Sequence, residues 1–199
     1  MKLNIPFYKS EKDIECAQRC LQMVLKYFKE KHSIKELSKL TKQLPTGMTW
    51  TAGIARASKI LGFNTKIISK TNFSHSENEI EYYKKHAKEM DTLHALIKEN
   101  KQLNIPSLEK NLSINQLTKL LTKNSIPIIL INWNTLAKKE NYQGHFVVFS
   151  GYDDENIYIH NPGITKAQAF MPIKKELFKK AWESKGTDKD IILISNPKT

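Results

Sequence analysis

Apolar residues recur with helical spacing in the first third of the chain and with strand spacing in the last third. Cys16, Cys20, Leu21, Val24, Leu25 and Phe28 fall at i, i+4, i+5, i+8, i+9 and i+12, which is one face of an α-helix. Asp13, or Ser10 before it, stands where it can cap that helix. Ser33-x-x-Glu36 reads as a capping box opening a second helix. Thr49 or Thr51 can cap a third, which ends near Gly62. NTKIISK (64–70) reads as a short strand. Residues 71–112 are polar and rich in Lys, Glu and Asn, with Ile80, Tyr83, Ala87, Met90 and Ile97 in helical period. A helical hairpin or exposed insertion is expected there. Ser113-x-x-Gln116 caps one more helix, ending before Ser125.

After that point the period changes. IPIILINW (126–133), HFVVFSGY (145–152), NIYIH (156–160), AQAFMPI (167–173) and DIILIS (190–195) are strand-like runs. Asp153, Asp154 and Glu155 form a hairpin turn between two of them, and residues 174–183 form a short helix. Helices first and a mostly antiparallel sheet afterwards define an α+β chain. The expected organisation is one domain over 1–199: a helical lobe at 1–70, the polar helical insertion at 71–112, and a β-rich lobe at 113–199.

Composition changes this picture little. With 40% hydrophobic and 26% charged residues, the chain is ordinary globular material rather than a disordered one. No apolar run approaches the length of a membrane span. The first residues lack the apolar core of a secretory signal. Cys16 and Cys20 are the only cysteines, too few for a disulfide framework. A cytoplasmic setting is therefore expected. The net charge of +12 comes almost wholly from lysine, because Arg19 and Arg56 are the only arginines among 32 basic residues. Lysine is a hydrated point charge without the fork that reads phosphates and bases. The lysines are spread along the chain, so a solvated surface is expected and nucleic acid is not an expected partner.

Chemistry concentrates in three residues. Cys16 sits at the start of the first helix, His145 opens a strand after Gly144, and Asn161 ends the next strand before Pro162–Gly163. The hairpin between the two strands brings His145 and Asn161 to the same end of the sheet. A thiol must ionise to attack, with a free pKa of about 8.5. A helix N-terminus and an imidazolium both favour the thiolate. The imidazole in turn needs an acceptor on its other nitrogen, and an Asn carbonyl serves. Glu15 would oppose this if it faced the thiol. Taken singly, each residue has an ordinary explanation: a small buried hydrophobe, a strand histidine, a turn asparagine. Their joint occurrence, in the order Cys, His, Asn, carries the reading. Cys20 is one turn deeper and reads as core. Two cysteines at i, i+4 without a second ligand pair make a poor zinc set, so no metal and no cofactor is expected.

At these residues the chain resembles a known family. ECAQRCLQMVLKYF is similar to the nucleophile helix of the papain-like cysteine peptidases that process double-glycine leader peptides, and of their free-standing relatives. GHFVVFSGYDDENIYIHNPG is similar to their His strand, hairpin and Asp/Asn turn. GMTWTAGIARASKILGFNTKIIS and SINQLTKLLTKNSIPIILINWN resemble the intervening helices and strands, and only 71–112 lies outside the likeness. The resemblance implies a papain-like fold with a helical lobe packed on an antiparallel sheet lobe. It implies Cys16 as nucleophile, His145 as general base and then acid, and Asn161 as its orienter. Three positions depart from the family. Ser10 stands where a glutamine completes the oxyanion hole, Ala17 replaces the glycine after the nucleophile, and Asn161 replaces the commoner Asp.

The function expected is a thiol-dependent hydrolase, most simply a cysteine peptidase acting through an acyl-thioester on a peptide or protein substrate. Two alternatives stand beside it: a binding module that kept the fold but lost activity, which Ser10 and Ala17 favour, and an acyl or amide transferase. Trp133, flanked by Asn132 and Asn134, is the tryptophan best placed for a substrate cleft, while Trp50 and Trp182 read as core. His160 ranks behind His145 as a base because strand alternation turns it to the other face. Asp153 and Asp154 read as turn formers rather than cation ligands. Tyr82, Tyr83 and their neighbouring lysines form a non-specific candidate docking surface. The insertion is expected to act as a lid or partner surface.

Overall fold

In the computed structural model, which describes residues 1–73, 90–163 and 166–196, the helical periodicity of the first third resolves into α1 (Cys16–Tyr27), α2 (Ile34–Leu40) and α3 (Thr51–Ile60). Neither Asp13 nor Ser10 caps α1. A 3-10 turn over Asp13–Glu15 runs straight into the helix, with Glu15 N–H donating to the Lys12 carbonyl at 3.2 Å. Ser33 caps α2 by accepting from Glu36 N–H at 3.2 Å, while Glu36 turns its carboxylate to His32 Nδ1 at 2.9 Å. Neither Thr49 nor Thr51 caps α3. Their hydroxyls have other partners: Thr49 accepts from Gln18 Nε2 at 2.9 Å, and Thr51 donates to the Asp190 carboxyl.

The strands are β1 (Asn64–Ser69), β2 (Ser107–Glu109), β3 (Ser125–Asn132), β4 (Gly144–Tyr152), β5 (Asn156–Asn161), β6 (Gln168–Lys174) and β7 (Ile191–Ser195). They form one sheet in the order β2-β1-β7-β3-β4-β5-β6. Every pairing is antiparallel except β1 with β2. The chain is thus α+β, as its change of period predicts. Trp133 does not end a strand but opens a short helix, α6 (Trp133–Ala137), which Asn132 caps by accepting from Asn134 N–H at 3.1 Å. A capping box at Ser113 and Gln116 opens α5 (Ile114–Thr118), and α7 (Lys175–Trp182) precedes β7.

The sheet's centre is buried on both sides, with Ile126, Ile128, Ile129, Val147, Val148 and Ile192 fully covered. α1 lies across it and buries Leu21, Val24 and Leu25 completely. Each such side chain is worth about 1.5–3 kcal/mol relative to exposure, so the seat of α1 is fixed by apolar packing rather than by caps.

Of the segment expected as an exposed insertion, residues 74–89 lie outside the described residues, and with them Ile80, Tyr82, Tyr83 and Ala87. The remainder is part of the fold. α4 (Met90–Gln102) buries Leu93, Leu96 and Asn100 and packs on α3, and β2 adds a strand to the sheet edge. Asn100 Nδ2 donates to the Ala52 carbonyl at 3.0 Å. Glu99 joins Lys42 and Arg56, and these bonds, Lys42 first, hold its carboxyl below the usual range.

The α3 helix approaches the end of α2 so closely that only glycine fits at Gly53. A Cβ there would stand 2.2 Å from the Thr41 carbonyl oxygen. Gly53→Ala should therefore destabilise the protein by about 1–3 kcal/mol, against the slight gain that alanine gives in an unconstrained helix. Denaturant unfolding of the two proteins checks the sign.

Candidate active site

Cys16 is the first residue of α1 and His145 the second of β4. The packing of α1 on β4 therefore decides whether they meet. One turn into the helix, Cys20 Sγ donates to the Phe146 carbonyl at 3.3 Å, fixing the helix against the strand beside His145. The Cys16 thiol and the His145 ring interact, and each shifts the other's ionisation. On the far side of that ring, Nε2 lies 2.7 Å from Asn161 Oδ1 at the end of β5. Asn161 is fully buried and its amide is held at both ends. Its Oδ1 also accepts from Gly163 N–H at 3.0 Å, and its Nδ2 donates to the Lys166 carbonyl at 2.7 Å. That orientation makes Oδ1 an acceptor only, so His145 Nε2 carries a proton and Nδ1 is the nitrogen left for the thiol.

The electrostatics follow from these contacts. Burial pushes the Cys16 thiol up, but the His145 hydrogen bond and charge, helped by the backbone at Phe146 and Ala17, bring it below the ordinary thiol value. For His145 burial acts downward, and the bond and charge of Cys16 together with the Asn161 bond raise it above the ordinary imidazole value. The two shifts move toward each other, as a thiolate–imidazolium pair requires. Cys20 lies one turn away with no such partner. Burial, reinforced by the Cys16 charge, pushes it well up. Glu15 does not oppose the thiolate. Its carboxylate is drawn to Arg19 at 3.2 Å and to Glu11 N–H at 3.0 Å.

Cys16 opens onto a cavity of about 290 Å³. Its wall includes the loop before α3, which is tied to α1 by Gln18 Nε2 donating to Thr41 and Thr49 hydroxyls, both at 2.9 Å. Gly47 in that loop has φ +88° and meets Ile14, so a side chain there would be strained and would clash. Trp50, Leu130 and Phe146 give apolar lining, and Asp13, Asp188 and Asp190 supply carboxyl groups. Among the described residues no lysine or arginine lines it. Burial raises Asp190 to about 8, against the downward pull of the Thr51 hydroxyl and with help from the Asp188 charge.

The other sequence candidates fall as follows. Ser10 is buried and binds the Pro162 carbonyl through its N–H at 2.7 Å. It lies beside the Asn161 turn and does not line the cavity, and its hydroxyl has no partner. Trp133 does not line the cavity either. It sets its ring at 64° against His145, with centroids 5.2 Å apart, covering the imidazole. The tryptophan in the cavity wall is Trp50, and Trp182 is buried beside Phe178. His160 is buried and its two nitrogens are occupied, with Nε2 donating to Ile5 at 2.9 Å and Nδ1 accepting from Phe170 N–H at 3.0 Å. That pattern fixes a neutral ring, and burial lowers its pKa further. Asp153 accepts from Glu155 and Asn156 N–H within its turn. Asp190 was not singled out from the sequence. The signal was there, an acid opening an otherwise apolar strand, but its partners are remote. Among the described residues no cluster of three or more His, Cys, Asp or Glu is arranged to hold a metal ion. Among them, too, no helix is long and apolar enough to cross a membrane.

A cysteine at the start of α1 against a strand histidine held by a buried amide, over a mixed sheet, fits the papain-like class of fold. Solved structures agree. The peptidase domain of Streptococcus ComA, a bifunctional ABC transporter involved in quorum sensing, matches with a TM-score of 0.57 at 18% identity, over 96% of this chain and 98% of that one. A double-glycine motif protease from an AMS/PCAT transporter, in complex with a leader peptide, matches at 0.56 and 16%, over 98% and 94%. A C39-like peptidase from Bacillus anthracis matches at 0.59 and 16%, over 97% and 95%. At such identities the likeness is one of fold. The family model that matches, over residues 5–194, is described as guanylylate cyclase, and the chain belongs to that family. The double-glycine peptidase family that the motifs resemble is thus a neighbour in fold, and family membership lies elsewhere.

The directions of the pKa shifts give a pH prediction. Cys16 alkylation should follow a midpoint below the ordinary thiol value of about 8.5, because the folded-state thiolate persists as pH falls until the depressed pKa is passed. In His145→Ala the bond and charge of the histidine vanish while burial and the smaller backbone contributions remain, and the midpoint should rise above the ordinary value. Cys20 should stay unlabelled throughout. Mass spectrometry of iodoacetamide-treated protein across pH reads all three.

Proposed function

We propose that this chain is a papain-like thiol hydrolase that cleaves peptide or amide bonds. The observation that carries the proposal is the bond between His145 Nε2 and Asn161 Oδ1 beside Cys16, with the opposed pKa shifts of thiol and imidazole. Cys16 as thiolate attacks the carbonyl carbon, and the carbonyl oxygen takes the negative charge. His145 gives its proton to the leaving amine as the tetrahedral intermediate collapses to an acyl-thioester. His145 then takes a proton from water, which attacks the thioester, and returns that proton to Cys16. Asn161 holds the imidazole in the tautomer that both steps need, and Trp133 covers it from solvent. The α1 N-terminus offers backbone N–H groups for the oxyanion. Ser10, with its hydroxyl buried and unpartnered beside the Asn161 turn, stands where the peptidases whose motifs it resembles carry a longer glutamine, so the donor set is leaner. Resolution of the acyl-enzyme by an amine instead of water would make the same site a transferase.

A peptide substrate is supported by the leader-peptide complex of one fold neighbour and by an apolar cavity opening directly at the thiol. The working unit is one papain-like domain in which residues 90–109 serve the fold. Nucleotide cyclisation, which the family's name carries, finds less support. A triphosphate needs cationic cradling, and among the described residues the cavity at Cys16 is lined by three acids and by no lysine or arginine.

Cleavage of a peptidyl-coumarin library by the purified protein tests the proposal. Cys16→Ala and His145→Ala should each lose at least about 10⁴-fold in kcat/KM, and Asn161→Ala about 10²-fold. A protein that turns over no amide or thioester while Cys16 alkylates rapidly would sink the hydrolase reading. Conversion of GTP, measured in the same preparations and unaffected by Cys16→Ala, would replace it with a cyclase site elsewhere.

A further inference from the structure

His160 is a buried histidine that the chemistry above does not use. It is fully covered, and the Phe7 and Phe170 rings stand edge-on to it with centroids 5.6 and 4.6 Å away. Its Nδ1 accepts from Phe170 N–H at 3.0 Å, and that N–H belongs to an irregular place in the sheet. β5 and β6 pair regularly as far as Ile159 with Met171, and pairing resumes at Asn161 with Gln168. Between those two pairs β6 has Ala169 and Phe170 where β5 has His160 alone, which is a β-bulge. Phe170 has φ +49°, in the left-handed region that a bulky residue rarely adopts. A bulge leaves a residue without its ladder partner, and here the His160 ring takes the partner's place.

We propose that His160 is a positioning residue: by holding the bulge at Phe170 it sets which way the Asn161 amide faces, and through that amide the tautomer of His145. Its part in catalysis rests on the thiol-hydrolase reading. The bulge moves the preceding residues of β6 by one position against β5, so that Gln168 rather than Ala169 stands opposite Asn161. A slip of one residue turns each position of a strand to the other side. In the register observed, the Lys166 carbonyl lies 2.7 Å from Asn161 Nδ2 and accepts its N–H. That bond, with Gly163 N–H on Oδ1 at 3.0 Å, tells the two ends of the amide apart. An amide turned by half a rotation would present N–H groups to His145, and the proton would have to leave Nε2. The other nitrogen of His160, Nε2, donates to the Ile5 carbonyl at 2.9 Å and so ties down the N-terminal segment. The ring's two bonds therefore serve two different elements, and only the one to Phe170 leads to Asn161.

The two bonds can be removed one at a time. The amide oxygen of His160→Asn falls near the place of Nδ1 and still accepts from Phe170. The amide of His160→Gln reaches the place of Nε2 and keeps only the Ile5 bond. Both variants lose the ring packing on Phe7 and Phe170, so a purely structural role would affect them alike. The Asn161 bond is one of the contributions that raise His145, and a weaker imidazolium supports the thiolate less. Iodoacetamide labelling of Cys16 at neutral pH should therefore be at least about fivefold slower in His160→Gln than in His160→Asn, with its pH midpoint moved toward the ordinary thiol value. In an Asn161→Ala background the difference should vanish, because His160 acts through that amide. Equal rates in the two variants, or a difference that persists without Asn161, overturns the proposal. The wild-type protein decides if a variant fails to fold. Its ring nitrogen resonances should show His145 protonated at Nε2, and its Phe170 amide should exchange at least about tenfold slower than an exposed one. Protonation at Nδ1 alone, or free exchange at Phe170, overturns the proposal as well. None of these measurements needs turnover. Hydrolysis of the peptidyl-coumarin library with equal kcat/KM in the two variants removes the positioning role and keeps the hydrolase. The expected labelling pattern without turnover keeps the positioning role and removes the hydrolase.

Discussion

The contact between α1 and β4 governs the rest of the molecule. A thiol at the first position of a helix and an imidazole at the second position of a strand meet only if the helix sits at one height and one rotation on the sheet. Apolar burial of Leu21, Val24 and Leu25 fixes the rotation, and the Cys20 bond to the Phe146 carbonyl fixes the height. The two cysteines thus divide the work. Cys20 is pinned, buried and raised well above the ordinary thiol value, while Cys16, one turn nearer the sheet's end, is lowered by the histidine it reaches. Identical side chains four residues apart acquire opposite chemistry because one has an ionisable partner and the other has a carbonyl.

The same packing builds the cavity. Gln18, on the face of α1 adjoining Cys16, holds the loop that leads into α3 through Thr41 and Thr49. Thr51, freed from any capping duty, reaches Asp190 across the sheet's edge. Side chains that local rules assign to helix ends are thereby spent on the walls and floor of the site. That exchange is affordable because tertiary burial, rather than capping, stabilises these helices.

Much of this was legible in the sequence for a physical reason. The order of helices and strands rests on hydrophobic period, which is a local signal. Cys16, His145 and Asn161 could be brought together because a helix start and a hairpin have predictable ends. The Ser113 capping box was read correctly since both of its bonds span only three residues. The failures share the opposite character. Thr49 and Thr51 were read as caps, yet their partners lie 31 and 139 residues away. Trp133 reads as the end of a strand, yet it opens a helix and packs on His145. Residues 90–109 looked polar enough to be an appendage, yet Leu93 and Leu96, two apolar residues on one face, suffice to seat α4 on α3. Asp190 reads as the polar start of a strand, and nothing near it in sequence announces Thr51 or the cavity.

Asn161 in place of an aspartate fits the electrostatics of the site as a whole. A carboxylate behind the imidazolium would add a third charge in a buried position, where solvation is poor. An amide with both ends satisfied orients the ring just as firmly and adds none. Burial likewise raises Asp190 to about 8, which lessens the charge held beside the thiol. In a half-buried site, where unpaired charge is penalised, an amide at 161 fits where a carboxylate would not.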